Sequence, residues 1–291
     1  MQTDGPTMRA FEAMGTRFEC VLAGIMCAHK SSARSAIAEE IERLVLDWHH
    51  ALSIFDPSST VSRINASRRP VRVNRDLLEL LERCVAYSEA TGGAFDITLG
   101  SVMAARGFRD HRPATASSGA DALELDRADS TARLNRTGVA LDLGAIAKGF
   151  VLDRCADELR DLGVSSALLH GGTSSVTAIG TAPDDSPWRI RIADDHAGAP
   201  TVELIDNSLS VSSPSGRTVD GHGHILDPRS GLSATAVEHA CVVGPSAEVC
   251  EAWSTAIVVD PALLDRLPSG YAGHALIDGA WRSINDRLVC V

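Results

Sequence analysis

Apolar positions along the chain change period several times, and each change predicts an element. In SSARSAIAEEIERLVLDWHHAL, Ile37, Ile41, Leu44, Val45, Trp48 and Leu52 recur at helical spacing. They give one apolar stripe and an amphipathic helix over 31–52, with serines as cap candidates. VRV at 71–73 reads as a short strand leading through Asn74 into the helix DLLELLERCVAYSEA, which ends at Gly92-Gly93, a C-terminal signal because glycine accepts left-handed backbone. GAIAKGFVLDRCADELRDLG predicts a helix from Gly144 to about Gly163, and SAEVCEAWSTAIVV one capped by Ser246. A short helix starts at Asp260-Pro261, with proline in the first helical position.

The other segments read as strands and turns. TRFECVLAG, at 16–24, is the first strand. FDPSSTVSRIN reads as a loop, and RPATASSGAD, at 112–121, as the most linker-like stretch. TARLNRTGVALDLG predicts a hairpin turning at Asn135–Gly138. SSALLHGG, SVTAIG, WRIRIAD, TVELI, SLSVSS, GHILDP and HACVVG follow as strands, and HALIDGAWRSI as a hairpin around Asp278-Gly279. Strands fall in clusters separated by helices, which is α+β rather than regular βαβ alternation. There is no internal repeat.

Composition narrows the function classes. With 291 residues, 44% hydrophobic and 22% charged, the chain has an ordinary globular composition with ample material for a core. A net charge of -11 with no long basic run argues against a duplex-binding surface, yet allows a local positive site for a small phosphate ligand. The cysteines, Cys20, Cys27, Cys84, Cys155, Cys241, Cys250 and Cys290, lack zinc spacing. They read as small buried hydrophobes in a reducing compartment. No apolar run approaches the roughly 18 residues of a membrane span. MQTDGPTMRAFEAMGT has neither the apolar core nor the cleavage site of a secretory signal, so the expected location is the cytoplasm.

Five stretches carry candidate chemistry. In LDLGAIAKGF, Asp142 and Lys148 flank Gly144 at a predicted helix start. Backbone N–H groups there can face an anion, with Lys148 adding a point charge; a tight turn with a surface lysine fits the residues equally. In TGGAFDITLG, Asp96 can accept hydrogen bonds from a nucleobase or ribose, or simply close an Asx-turn. HGGTSSVTAIG is small and hydroxyl-rich, as close approach of a ligand or a plain turn requires. SVSSPSGRTVDGHGHILDPRSG offers Arg217, His222, His224, Asp227 and Arg229, and histidine is the natural base near neutral pH. In CEAWSTAIVV, Glu251 and Thr255 share one face of a predicted helix. That oxygen pair suits Mg²⁺, and an ordinary solvated face is the alternative.

Taken in order, AMGT at 13–16, FDPSSTVSRIN, GGAFDITLG, LDLGAIAKGF, LLHGGTSSVTAIG, PDDSPWRIRIAD, HILDPRSG and EAWSTA resemble the ApbE family of FAD:protein FMN transferases over most of the chain. The resemblance implies one domain over 1–291, with lobes at about 1–115 and 116–291. Its fold would be α+β, with mixed or antiparallel sheets flanked by helices, T-fold-related, and a ligand cleft between the lobes. It implies FAD as substrate and Mg²⁺ as cofactor. FMN would pass to a Thr or Ser hydroxyl of a target flavoprotein, releasing AMP.

Carried over by position, Met14, Phe55, Ala94, Phe95, Asp96, Asp142, Lys148 and Ile225 would contact FAD. Ala145, through its carbonyl, would bind Mg²⁺ together with Glu251 and Thr255. His224, Lys148 and Asp142 would form the catalytic group, with His224 assisting proton removal from the acceptor. The chain departs from the family in having Glu251 for an aspartate, Gly-Gly-Thr at 171–173 for Gly-Gly-Asn, and no export signal. Two alternatives accompany the transferase reading: an FAD pyrophosphatase giving FMN and AMP, and a non-catalytic FAD-binding or assembly protein. No nucleic-acid partner and no transmembrane segment are expected.

Overall fold

The computed structural model describes residues 5–25, 31–109, 113–192 and 199–285. Its centre is an eight-stranded sheet. The strands are β1 (Thr7–Ala13), β2 (Thr16–Ile25), β3 (Val164–Gly171), β4 (Ser175–Ile179), β5 (Ser208–Ser212), β6 (His239–Gly244), β7 (Ala272–Ile277) and β8 (Ala280–Ile284). Their order across the sheet is their order along the chain, and every neighbouring pair is antiparallel. Strand direction therefore alternates. The β1–β2 turn, the β3–β4 turn, the end of β5 and the start of β6 all fall at one end of the sheet's strands.

Alternation of apolar residues divides the core. Ala167, Leu169, Ala240 and Val242 point to one face, Leu168, Cys241 and Val243 to the other. The first face carries α1 (Ser31–Leu52), then α5 (Ala147–Asp161) and α6 (Ala247–Val259), once α2 (Thr60–Ala66), α3 (Arg75–Ala90) and α4 (Gly100–Ala105) have intervened in the chain. Trp48 of α1 meets Phe150 of α5 edge-on, with ring centroids 4.7 Å apart. The second face is covered by an antiparallel ribbon, Trp188–Arg191 with Thr201–Leu204.

Two features bring α5 and α6 together. A Cβ on Gly149 would lie 2.4 Å from the Ala247 carbonyl oxygen, so only glycine permits this approach. Asp153 of α5 also caps α6, accepting from Ser246 Oγ at 2.7 Å and from the Ala247 and Glu248 amides at 2.8 and 3.0 Å. Burial lifts the Asp153 carboxyl to about 6 although these donors pull it down. Glu248 in turn accepts from Arg83 Nε and Nη2 of α3 at 2.7 and 2.8 Å, and from Tyr87 Oη at 2.9 Å. The helix carrying Glu251 is thus held from two sides by hydrogen-bonded carboxylates, one buried and one half-buried.

The α+β class and antiparallel sheet agree with the sequence reading, as do the Asn74, Ser246 and Asp260 caps and the final hairpin. Several elements differ. Thr7–Ala13 is a strand, masked in the sequence because its apolar and charged residues sit on a half-exposed edge. FDPSSTVSRIN includes the helical turns of α2, capped by Ser59. Thr131–Leu134 pairs with Leu123–Asp126, ahead of it in the chain, not with the residues after Gly138. A third short strand, Val71–Arg72, completes that small sheet.

Leu141 is instead clamped by Asn65, which donates to its carbonyl at 2.9 Å and accepts its N–H at 2.7 Å. α5 starts at Ala147, three residues later than Gly144 suggests. The part of 112–121 that is described packs as structure: Ser117 N donates to the Gly138 carbonyl at 2.8 Å, and Gly119 N to Thr98 Oγ1 at 2.7 Å. Cys20, Cys84, Cys155, Cys241 and Cys250 are free and buried, while Cys27 and Cys290, and the last two residues of WRIRIAD, lie outside the described residues.

Candidate active site

A cleft of about 660 Å³ opens at the strand ends where those turns gather. Met14, Ala94, Phe95, Asp96, Asp142, Ala145, Lys148, His224, Ile225, Glu251 and Thr255 all line it. Residues separated by more than 200 positions thus share one cavity. Phe55 is the exception. It is 69% exposed and lies outside the lining, with its ring 5.7 Å from the Arg109 guanidinium carbon.

The helix-borne part is built on α5 and α6. Lys148 projects from the first turn of α5, and Glu251 and Thr255 from successive turns of α6. Glu251 is 3% exposed. Its Oε1 accepts from Ser175 Oγ and lies 3.0 Å from Lys148 Nζ. Its Oε2 is buried with no hydrogen-bond partner. A buried carboxylate oxygen left unpaired is costly, so one facing a cleft marks a place for a ligand.

Around it runs a seam of hydroxyls between sheet and helix. Ser212 Oγ lies 2.8 Å from Ser254 Oγ and 3.4 Å from Thr255 Oγ1, and Ser254 donates to Ser210 Oγ at 3.3 Å. No group of three or more His, Cys, Asp or Glu residues suited to a metal occurs among the described residues. One carboxylate with neutral oxygens excludes a soft-metal cage but fits Mg²⁺, which keeps waters and takes few protein ligands.

Loops supply the other walls. Asp142 Oδ1 accepts from Gly144 N at 3.0 Å and Oδ2 pairs with Arg109 Nη2. Asp96 accepts from Thr98 N and Oγ1, both at 2.7 Å. It therefore closes an Asx-turn and also faces the cleft, and burial raises its carboxyl above the ordinary value. His224 Nδ1 lies 3.2 Å from the Arg217 carbonyl oxygen. Burial lowers the His224 pKa, helped by the charges of Arg217 and Lys148 and opposed by the backbone carbonyls. The ring is therefore neutral at neutral pH and available as a proton acceptor.

From the polar run at 210–231, only part serves the cleft. Arg217 lines it, whereas Arg229 pairs with Asp227 at 2.9 Å on the surface and His222 is exposed. Sequence reading missed Arg109, whose pairing with Asp142 spans 33 positions without local pattern. It flagged the stretches that hold Ser175, Ser210 and Ser212 without giving those serines a role. The alternation of serines in SLSVSS was the available signal, since it puts hydroxyls on one strand face opposite a helix.

A cleft with a buried oxygen ligand, an ammonium beside it and a neutral histidine is the equipment of an enzyme that moves phosphoryl-type groups. The comparisons agree. The ApbE family model matches residues 14–266, and the chain belongs to the ApbE family. It is 30% identical over 258 residues to the FAD:protein FMN transferase of Treponema pallidum, covering 77% of this chain and 71% of the relative. A Klebsiella pneumoniae FAD:protein FMN transferase is 31% identical over 216 residues, 67% of this chain and 66% of the relative. The fold is similar to the ApbE protein of Thermotoga maritima, with a TM-score of 0.86, 25% identity, and 96% and 97% of the two chains covered. It is also similar to the Pseudomonas stutzeri flavinyl transferase ApbE, with a TM-score of 0.84, 25% identity and 99% of each chain covered.

Proposed function

We propose that this chain transfers FMN from FAD to a Ser or Thr hydroxyl of a target flavoprotein, releasing AMP, with Mg²⁺ bound in the cleft. Family membership and the named relatives support the transfer of FMN from FAD. The observation that carries the site reading is Glu251 Oε2, buried and unpartnered, in the cleft shared by Lys148 and His224. Glu251 Oε2, Thr255 Oγ1 and the Ala145 carbonyl would hold the ion. Bound there, Mg²⁺ supplies positive charge against the pyrophosphate oxygens of FAD.

The residues of the chain divide the remaining work. A proton on His224 Nδ1 satisfies the Arg217 carbonyl and leaves Nε2 as the basic nitrogen of the neutral ring. Nε2 takes the acceptor proton as the hydroxyl oxygen bonds to the FMN phosphorus. The bond from that phosphorus to the bridging oxygen breaks, and AMP leaves with the electron pair. Lys148 stabilises charge on the phosphate oxygens. Asp142, fixed by Arg109 and Gly144, and Asp96, fixed by Thr98, hold FAD in place for in-line attack.

The test is incubation with FAD, Mg²⁺ and a candidate flavoprotein, read by intact mass and AMP release. Gain of one FMN on the acceptor with matching AMP supports the proposal. AMP without mass gain makes the chain a pyrophosphatase, and no AMP from FAD with a competent acceptor sinks catalysis altogether.

A further inference from the structure

The turn between β1 and β2 is the strained part of the cleft wall. Ala13 pairs with Thr16, so the loop is Met14-Gly15, and φ is 53° at Met14 and 72° at Gly15. Two-residue loops with both φ positive favour Asn-Gly, since asparagine tolerates left-handed backbone. The other non-glycine residues of positive φ among those described are Ser130, Asp185, Asp206, Asp220, Asp278 and Asn285, all short and polar. Met14 alone in that group carries a long apolar side chain. It lines the cleft and packs against the core. Such a conformation persists only where its surroundings over-determine it.

The surroundings include one specific restraint. Strand pairing ends at Ala13 and Thr16, so the ladder offers the Met14 N–H no acceptor. That N–H donates to His49 Nδ1 at 2.8 Å, across 35 positions of sequence. His49 is half-buried in the last turn of α1, which packs on β1 and β2. The bond requires Nδ1 unprotonated, with the ring hydrogen on Nε2.

We propose that His49 is a positioning residue whose Nδ1 latches the Met14-Gly15 turn and so presents Met14 to FAD. It touches no reacting atom, and its effect falls on FAD binding rather than on the transfer step. The proposal rests on the transferase reading only for the identity of the occupant.

Asparagine at this position keeps an acceptor atom where Nδ1 stands, and leucine does not. Two readings separate them: hydrogen exchange of the Met14 amide, and FAD affinity by flavin fluorescence with EDTA present. His49→Leu is expected to speed Met14 exchange about 10-fold and to weaken FAD binding roughly 5-fold, with kcat at saturating FAD unchanged. His49→Asn restores both. Wild-type exchange in His49→Leu, or failure of His49→Asn to rescue, overturns the latch.

If the wild-type protein binds no FAD, the transferase reading fails and the exchange result still decides the role of His49. A second variant leaves His49 untouched. Met14→Asn and Met14→Ala both lose the core contact of Met14, but asparagine suits the turn better, so Met14→Asn should melt above Met14→Ala while both lose FAD affinity. Equal melting temperatures, or Met14→Asn the lower, with the fold intact by circular dichroism, overturn the strain assigned to the turn.

Discussion

The two halves of the cleft are held in different ways. Lys148, Glu251 and Thr255 stand on α5 and α6, which are locked together by Gly149 and by the Asp153 cap, while the Arg83–Glu248 pair ties α6 to α3. Met14, Asp96, Asp142 and His224 stand on turns and extended loops, each fixed by a few local or long-range hydrogen bonds. The difference separates tasks. A buried carboxylate must keep its geometry while charge develops, and helices packed on a sheet provide that rigidity. Recognition of a long ligand needs many contact points from distant parts of the chain, and loops at one end of the strands provide those. The helix-held half should therefore govern turnover, and the loop-held half affinity.

The strongest challenge to that partition is at Glu251. Glu251→Ala should lower metal-dependent FAD turnover by on the order of 10³-fold while circular dichroism stays native. Full activity in this variant at limiting Mg²⁺ would remove the metal assignment. His224 is the sharper case, because it sits in the loop-held half yet is assigned chemistry. His224→Ala should reduce transfer about 10²-fold and leave FAD affinity nearly intact.

The sign of the pH effect follows from the burial of His224. Its protonated form cannot take a proton, so kcat/KM should rise with pH and level off with an apparent pKa below about 6.5. That limb should vanish in the variant. A collapse of flavin affinity, or a limb that persists, would return His224 to a purely binding role and make the division of the cleft complete.

Legibility in the sequence followed the same divide. The helices that carry Lys148, Glu251 and Thr255 were readable because apolar periodicity and capping residues act within one element. The residues of the loop-held half were reached through motif resemblance, since an Asx-turn such as Asp96–Thr98 looks alike with or without a ligand. What stayed hidden is pairing between distant segments. Arg109 on Asp142, His49 on Met14 and Ser175 under Glu251 have no local pattern, because only the fold brings their backbones together. The strand Thr7–Ala13 was hidden for a related reason: as the sheet edge it needs no continuous apolar face.

Ser175 offers a finer probe of the helix-held half. It is fully buried and holds Glu251 Oε1, leaving Oε2 to the cleft. Ser175→Ala should weaken Mn²⁺ binding, read by calorimetry without FAD, by about 10-fold, as loss of a supporting hydrogen bond to a metal ligand does. Unchanged affinity would mean that Lys148 and packing alone orient the carboxylate.

The smallest effect is expected at Phe55, where sequence resemblance and position in the structure pull apart. Its ring lies outside the cleft lining, with its centroid 5.7 Å from the guanidinium carbon of Arg109, the partner of Asp142. A cation–π contact at an exposed site is worth about 0.5–1 kcal/mol. Phe55→Ala should therefore raise the KM for FAD by roughly 2- to 5-fold through looser Arg109, with kcat unchanged. Arg109→Ala in the same background should add little more from the Phe55 contact itself, because the two act in series. A loss of FAD affinity beyond about 30-fold in Phe55→Ala, equivalent to roughly 2 kcal/mol, exceeds what that contact supplies. It would mean that Phe55 turns inward on the ligand, and that the loop-held half closes around FAD rather than waiting preformed.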